Sequence, residues 1–203
     1  VVPNNKLSPE KSINIEMGGQ LKIKDLITLQ IQVFQTQIID AIERRAASLN
    51  GLDSMNYDGE MMKIMMNTNI GRANIKGLNF KYELKIRQFS HNTIINLLRG
   101  ATKEGVPLAR IPPTNIISSI NYKYHNQSFS LSSHYNALKK ASEYDIGGVD
   151  NIEEATLIGN PSWYTINLNY RIAIDKNLIF IAGANNIMDT HYKTFGSGIS
   201  ASG

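Results

Sequence analysis

The chain has 203 residues, of which 42% are apolar and only 19% are charged. The charged fraction lies below the roughly 25% that is usual in soluble domains. The absence of cysteine excludes a disulfide scaffold, a thiol catalyst and a cysteine-ligated zinc site. The net charge of +4 comes from scattered residues and isolated pairs, not from a basic run, so no nucleic-acid partner is predicted. No stretch approaches the roughly 18 consecutive apolar residues of a transmembrane helix, although the strands of a membrane barrel would not need one.

Alternation of apolar and polar residues is the dominant pattern along the chain. Near the start, Ile13, Ile15 and Met17 alternate with Asn14 and Glu16. Such alternation predicts strands with one apolar and one polar face, and it recurs in six segments: 13–23, 27–33, 78–86, 116–124, 129–136 and 163–173. Two further strands are predicted, one at 178–184 that is apolar on both faces and one at 93–98 with a poor pattern. The predicted fold is all-β, an antiparallel up-and-down meander of about eight strands from a transmembrane β-barrel.

The connections between these strands alternate in length. Short turns are predicted near 24–25, 125–127 and 175–177, and long polar stretches run over 45–67, 138–161 and from residue 189 onward. Outer-membrane barrels have this asymmetry, with short periplasmic turns and long extracellular loops. The strands at 13–23 and 163–173 also match the ~9–11 residues that cross a bilayer at a tilt. A soluble sandwich would have shorter strands and more even loops.

Aromatic residues fall near the ends of predicted strands, at Tyr122, Tyr124, Tyr135 and the Trp163–Tyr164 pair. An aromatic girdle at a membrane interface predicts this placement. The general preference of aromatic residues for sheets predicts it as well. The sequence leaves both explanations open.

Five motifs follow one another along the chain. They are NNKLSPEKSINIEMGG, NIGRANIKGLNFKYEL, PLARIPPTNIISSINY, the pair SWYTINLNYRI and NLIFIAGANNIMDTHY, and finally FGSGISASG. In this order they resemble the barrel of TonB-dependent outer-membrane receptors. The positions that carry the resemblance are Pro9, Glu10, Gly77, Pro112, Pro113, Asn185, Asn186, Asp189 and Tyr192.

The resemblance implies that residues 1–203 are the C-terminal portion of a barrel with about 22 strands in the family. It implies an active transporter in the outer membrane of a Gram-negative cell, which imports a scarce, bulky nutrient with TonB-coupled energy. A ferric siderophore is the default ligand, and cobalamin, haem or a glycan are alternatives. The implied partners are the receptor's own plug domain, the TonB system and outer-membrane lipid. Because the family's plug and final strand are not found in the sequence, we expect a fragment that self-associates through open sheet edges.

Two other functions compete with this interpretation. A passive porin-type barrel would share the alternation and the unequal loops but not the ordered motifs. A soluble β-rich ligand-binding module would pack the apolar faces of its strands against each other. The sequence contains no Gly-x-Ser-x-Gly, no His-Glu-x-x-His and no phosphate-binding glycine loop, so it predicts neither an enzyme nor a cofactor.

Polar-face side chains are the candidates for contact with a plug or a passing ligand. The residues singled out are Glu16, Gln30, Gln32, Lys81, Glu83, His134, Asn167 and Arg171. Arg44 and Arg45 are predicted where a strand emerges into an outer loop. There they would meet an anionic substrate or form a salt-bridged rim, and the sequence favours the rim.

A cluster of methionines is the sharpest candidate for metal chemistry, because thioethers select Cu(I). Its members are Met55, Met61, Met62, Met65 and Met66. Their spacing also fits the apolar stripe of one loop helix, which the sequence favours. The four histidines lack metal-type spacing, and Asp145, Glu153 and Glu154 are expected to be solvated loop residues. No metal site is therefore predicted.

Overall fold

The computed structural model describes residues 1–201, so the last two residues of the final motif lie outside the described part. The chain forms strands throughout, with two single 3-10 turns at Ala141–Glu143 and Ile152–Glu154. The strands are β1 (Lys11–Ile23), β2 (Ile27–Ile39), β3 (Ile42–Ala46), β4 (Ser54–Tyr57), β5 (Glu60–Lys63), β6 (Met65–Asn69), β7 (Arg72–Ile86), β8 (Phe89–Thr102), β9 (Asn115–Tyr124), β10 (Gln127–Asn136), β11 (Lys139–Lys140), β12 (Gly159–Asn160), β13 (Trp163–Ala173), β14 (Ile179–Ala184), β15 (Tyr192–Lys193) and β16 (Ser200–Ala201).

Eight of these strands form one antiparallel sheet in the order β1-β2-β7-β8-β9-β10-β13-β14. Each strand pairs with the next long strand in the chain, and the register continues without interruption along each pair. Met17 lies opposite Val33, Val33 opposite Leu78, and Leu78 opposite Leu97. The predicted eight-stranded up-and-down meander is confirmed.

The two faces of the sheet differ in character because directly paired residues share a face. One face, here called the apolar face, carries the Met17–Val33–Leu78–Leu97 row, and the opposite one is the polar face. Ile15 and Met17 on the apolar face are 73% and 75% exposed. A soluble sandwich would bury such side chains against a second sheet. In the described residues no second sheet covers them, and the soluble-module alternative therefore loses its structural basis.

Aromatic side chains on the apolar face gather near the short turns. Phe89 packs on Tyr122 with ring centroids 4.6 Å apart, and Phe129 packs on Tyr170 at 4.8 Å. Tyr124 stacks parallel to Tyr122. These rings lie on neighbouring strands at one level of the sheet, as an interfacial girdle requires.

Three strands are markedly longer than the sequence predicts, and the first of them, β7, begins at Arg72 in place of residue 78. The alternation of β2 stops at Val33 because Gln35 and Gln37 occupy the apolar face, yet the strand continues to Ile39. Strand β8 runs over Phe89–Thr102 and includes the poorly patterned segment 93–98. Backbone pairing of β7 with β2 and with β8 extends all three strands beyond the part that the apolar pattern marks.

The predicted methionine helix is wrong. Strands β4 and β5 form a hairpin in which Met55 lies opposite Met62, and Met65 and Met66 belong to β6, which pairs with β3. Met61 and Met62 are exposed at the hairpin. The turn Asp58–Gly59, where both residues have positive φ, closes the hairpin. The methionines therefore follow the two-residue period of strands and do not form the apolar stripe of a helix.

The connections have unequal lengths at the two ends of the sheet. Residues 24–26, 87–88, 125–126 and 174–178 form short turns at one end, and segments 40–71, 103–114, 137–162 and 185–201 lie at the other, which we call the loop end. The loop segments fold over the polar face, where Leu108 and Ile111 pack with Ala41 and Ala73 in a small buried core. The predicted loop asymmetry is thus present.

The outermost strands of the sheet are β1 and β14, and every residue of β1 is exposed. Self-association through these edges stays a prediction. Among the described residues, no helix is long and apolar enough to cross a membrane.

Candidate functional site at the loop end

Side chains on the polar face are joined across strands by hydrogen bonds. Thr36 donates to Asn14 over 2.8 Å. Gln32 donates to Glu16 over 3.3 Å and accepts a bond from Asn79 over 3.2 Å. This ladder forms a polar, weakly charged surface that keeps further hydrogen-bond donors and acceptors.

The predicted polar-face residues do not form a single site. Glu83 pairs with Lys85 over 2.8 Å near the short turns, and Lys81 and Arg171 lie on the same face on β7 and β13. His134 lies at the far, loop-end side of the face, where its ring packs edge-on against Trp163 and its Nε2 contacts the amides of Asn115 and Asn136. These side chains are therefore spread along the face instead of converging.

A cavity of about 390 Å³ opens at the loop end of the polar face. We call it the loop-end cavity. Its charged lining residues are Glu10, Glu43, Arg44, Arg110 and Asp145. They come from four separate parts of the chain: the segment before β1, strand β3, and the segments 103–114 and 137–162.

A buried turn shapes one wall of the loop-end cavity. Asp145 accepts hydrogen bonds from the backbone of Gly147, Val149 and Asp150, and Asp150 in turn accepts one from the Arg110 backbone over 2.8 Å. Burial raises the pKa of Asp150, while the bond from Arg110 opposes this rise. Gly147 lies so close to the Arg44 carbonyl that a side chain there would clash. The 145–150 turn therefore packs closely against strand β3.

Strand β3 supplies one of the two guanidinium groups of the loop-end cavity, that of Arg44, and Arg110 supplies the other. Arg45 forms an ion pair of 2.6 Å with Glu43. Burial raises the pKa of Glu43, and the Arg45 charge counteracts this effect. The Nε of Arg44 is buried without a hydrogen-bond partner. Arg45 is therefore part of a salt bridge, and Arg44 is the β3 arginine that lines the loop-end cavity.

Several residues that carry the family resemblance make contacts that stabilise the fold. Glu10 accepts a hydrogen bond from the Ile42 backbone, and the Asn186 side chain bonds both backbone groups of Thr190. Tyr192 packs on Trp163 with ring centroids 4.2 Å apart. These contacts fasten the segments that flank the sheet. Asn185, Asp189, Pro112 and Pro113 lie in connecting segments at the loop end.

Sequence reasoning missed four charged residues that are buried or line the loop-end cavity: Glu43, Arg110, Lys139 and Asp150. Lys139 is almost fully buried and donates to the Ile111 carbonyl over 2.7 Å. Burial lowers its pKa. The segments that contain these four residues have no periodic pattern from which burial could be inferred. Within residues 1–201, no group of three or more His, Asp or Glu side chains could hold a metal ion.

The β-barrel model of the TonB-dependent receptor-like family matches residues 1–187 of the chain. The chain belongs to this family. None of the curated proteins matches it significantly. TonB-dependent receptor barrels reside in the outer membrane, and the family consists of transporters and receptors, not enzymes.

Solved structures show the same fold. The copper transporter OprC superposes with a TM-score of 0.76 at 16% identity, over 95% of this chain and 28% of that one. The siderophore receptor PirA from Acinetobacter baumannii gives 0.69 at 19% identity, over 93% and 29%. The FrpB iron transporter from Neisseria meningitidis gives 0.68 at 12% identity, over 95% and 29%. The chain thus spans less than a third of each of these TonB-dependent receptors.

Proposed function

We propose that the chain forms part of the barrel wall of an outer-membrane active transporter that imports a bulky metal chelate, most simply a ferric siderophore, with TonB-coupled energy. On this proposal the apolar face contacts lipid and the polar face lines the lumen. The loop end then faces the outside of the cell, because outer-membrane barrels place their long loops there.

The main support for this proposal comes from the charged residues of the loop-end cavity. Its three carboxyl groups are already engaged, since Glu10 and Asp145 accept backbone hydrogen bonds and Glu43 pairs with Arg45. Arg44 and Arg110, in contrast, have no carboxylate within salt-bridge distance among residues 1–201. Guanidinium groups with free donors suit an anionic chelate, whose oxygens they can bind in pairs.

The polar face supports the proposed partnership with a plug domain. A barrel of about 22 strands encloses a lumen wide enough to need one. The Asn14–Thr36 and Glu16–Gln32–Asn79 bonds leave exposed amide and carboxylate atoms that could bind such a domain. Contact with the TonB system would involve segments outside this chain.

Similar proteins include iron, siderophore and copper transporters by name, so copper joins cobalamin, haem and glycans as an alternative cargo. Passive diffusion through a porin-type barrel is the rival mechanism. The two mechanisms differ in one respect that can be measured, because active import needs the TonB system and passive diffusion does not.

Growth of a strain that lacks the receptor gene tests the function. Plasmid copies would be supplied in an iron-limited medium with ferric catecholate or ferric hydroxamate siderophores, haem, or cobalamin as defined nutrients. We expect rescue by the wild-type gene on a ferric siderophore, loss of rescue without TonB, and impaired rescue by Arg44→Ala/Arg110→Ala. The matched control is Lys63→Ala/Lys103→Ala, which removes two exposed loop-end charges outside the loop-end cavity. Rescue that persists without TonB would contradict active transport.

A further inference from the structure

Two positive charges face each other on the apolar face. Lys76 lies directly opposite Arg99 across β7 and β8, one step beyond the Leu78–Leu97 pair toward the loop end. Both side chains are exposed. Like charges at directly opposed positions destabilise a sheet, and within the described part of the chain neither has a carboxylate within 4.0 Å. An anion from outside the chain would therefore reduce the repulsion between Lys76 and Arg99.

A cavity of about 330 Å³ adjoins this pair. We call it the lateral cavity. Besides Lys76 and Arg99 it is lined by Asn74, Ser142, Glu143 and the nearly buried Lys139. The Lys139 ammonium has three donors, of which the Ile111 carbonyl accepts one. The lining residues thus include three basic side chains and one carboxylate, that of Glu143, although the Lys139 ammonium also lies 5.0 Å from the centroid of the Phe195 ring.

The lateral cavity lies where the apolar band of the sheet ends. Val33, Leu78 and Leu97 form the last apolar row of the face, and Gln35, Lys76 and Arg99 form the next row toward the loop end. In a membrane this change marks the boundary between acyl chains and headgroups. A ligand bound here can place an anionic group on the cations while its chains cover the apolar row.

We propose that Lys76, Arg99 and Lys139 form a binding site for the phosphate group of a phosphorylated outer-membrane lipid. The proposal rests on the outer-membrane location argued above. Arginine binds phosphate through paired hydrogen bonds, and lysine adds a compact charge. A lipid fits better than a soluble anion because Lys76 and Arg99 extend from the face that continues as the exposed apolar band.

Native mass spectrometry of the whole receptor in a non-ionic detergent tests the site. The probe is bis-phosphorylated lipid A, titrated against wild type and Lys76→Gln/Arg99→Gln. The matched control is Lys81→Gln/Lys123→Gln, which removes the same charge from the polar face of the same sheet. At about 1 kcal/mol per basic residue, we expect binding to the first variant to be about tenfold to thirtyfold weaker and binding to the control to be unchanged.

Two outcomes would overturn the proposal. One is equal loss of lipid in the variant and its control. The other is full displacement of the lipid by millimolar inorganic phosphate, which would identify a soluble-anion site. A gel shift on boiling reports barrel folding in every variant, so misfolding is recognised separately. Growth on the siderophore should survive Lys76→Gln/Arg99→Gln, which separates failure of the lipid site from failure of the proposed transport function.

Discussion

Phe34 and Gly77 lie opposite one another across β2 and β7, and the Phe34 ring occupies the space into which a side chain at Gly77 would project. Both residues belong to the polar face, so an aromatic ring covers the glycine there. Aromatic side chains stabilise glycine in sheets in this way.

The Phe34–Gly77 contact predicts that Gly77→Ala destabilises the barrel. The ring must swing away from its packed position, at a cost of about 1–3 kcal/mol. Urea unfolding of the purified receptor, followed by the loss of the unboiled gel band, measures this cost. Gly19→Ala is the matched control, since that position is open. In a Phe34→Ala background the effect of Gly77→Ala should largely disappear, and an unchanged effect would refute the steric explanation.

The two faces of β2 predict opposite responses to a charge. Ile31→Arg places a charge on the apolar face, one row nearer the middle of the bilayer than Val33, and should cost about 2–4 kcal/mol. Gln32→Arg changes the neighbouring residue on the polar face, beside Glu16, and should alter stability by about 1 kcal/mol at most. Unfolding from lipid vesicles compares the two. Equal tolerance of both substitutions would show that lipid does not cover the apolar face.

Removal of the Tyr192 ring should loosen the segment that follows β14. Tyr192 packs on Trp163, and the next residue, Lys193, reaches Glu154 over 3.1 Å. We expect amide hydrogen exchange in residues 190–201 to accelerate at least about twofold to tenfold in Tyr192→Ala, since an aromatic pair contributes about 0.5–1.5 kcal/mol beyond its buried area. Tyr57→Ala, at the exposed hairpin, is the control. Similar acceleration in both variants would mean that the ring contact does not hold the segment.

The buried Asp150 predicts a pH dependence of the loop end. Its pKa in the folded protein is raised by burial, so the stability it contributes is present at acidic pH and is lost as the pH rises through the raised pKa. We expect exchange protection of the 145–150 turn to fall more between pH 4 and pH 8 in wild type than in Asp150→Asn. The variant keeps an oxygen for the Arg110 amide. A parallel fall in both proteins would exclude Asp150 as the titrating group.

The fold could be predicted because the strands themselves carry the signal. Ile13–Met17 on β1 and Leu78–Phe80 on β7 alternate with polar residues, and a period of two specifies both the strand and its exposed face. The alternation did not predict the second half of β2, because polar residues occupy the apolar face there. Gln35 lies beyond the apolar row, and there the strand is held by backbone pairing and by polar-face contacts such as the Thr36–Asn14 hydrogen bond.

The candidate sites could be predicted only in part. Arg44 and Arg45 stand out as a pair in the sequence, and the structure distinguishes them because Arg45 pairs with Glu43 while the Arg44 Nε remains unbonded. The methionine spacing fits a helix as well as a hairpin, and the Asp58–Gly59 turn decides between them. Short segments of this kind carry too few residues for periodicity to be decisive.

The sequence by itself determined the eight strands, their two faces and the family, because alternation and ordered motifs are local properties of the chain. Only the tertiary structure decided which side chains meet. Arg110 and Asp150 are 40 residues apart in sequence and joined by a hydrogen bond, and Lys76 meets Arg99 through the register of β7 and β8. Such contacts depend on how the loops close and how the strands align. The free energy of these long-range contacts cannot be inferred from a local sequence pattern.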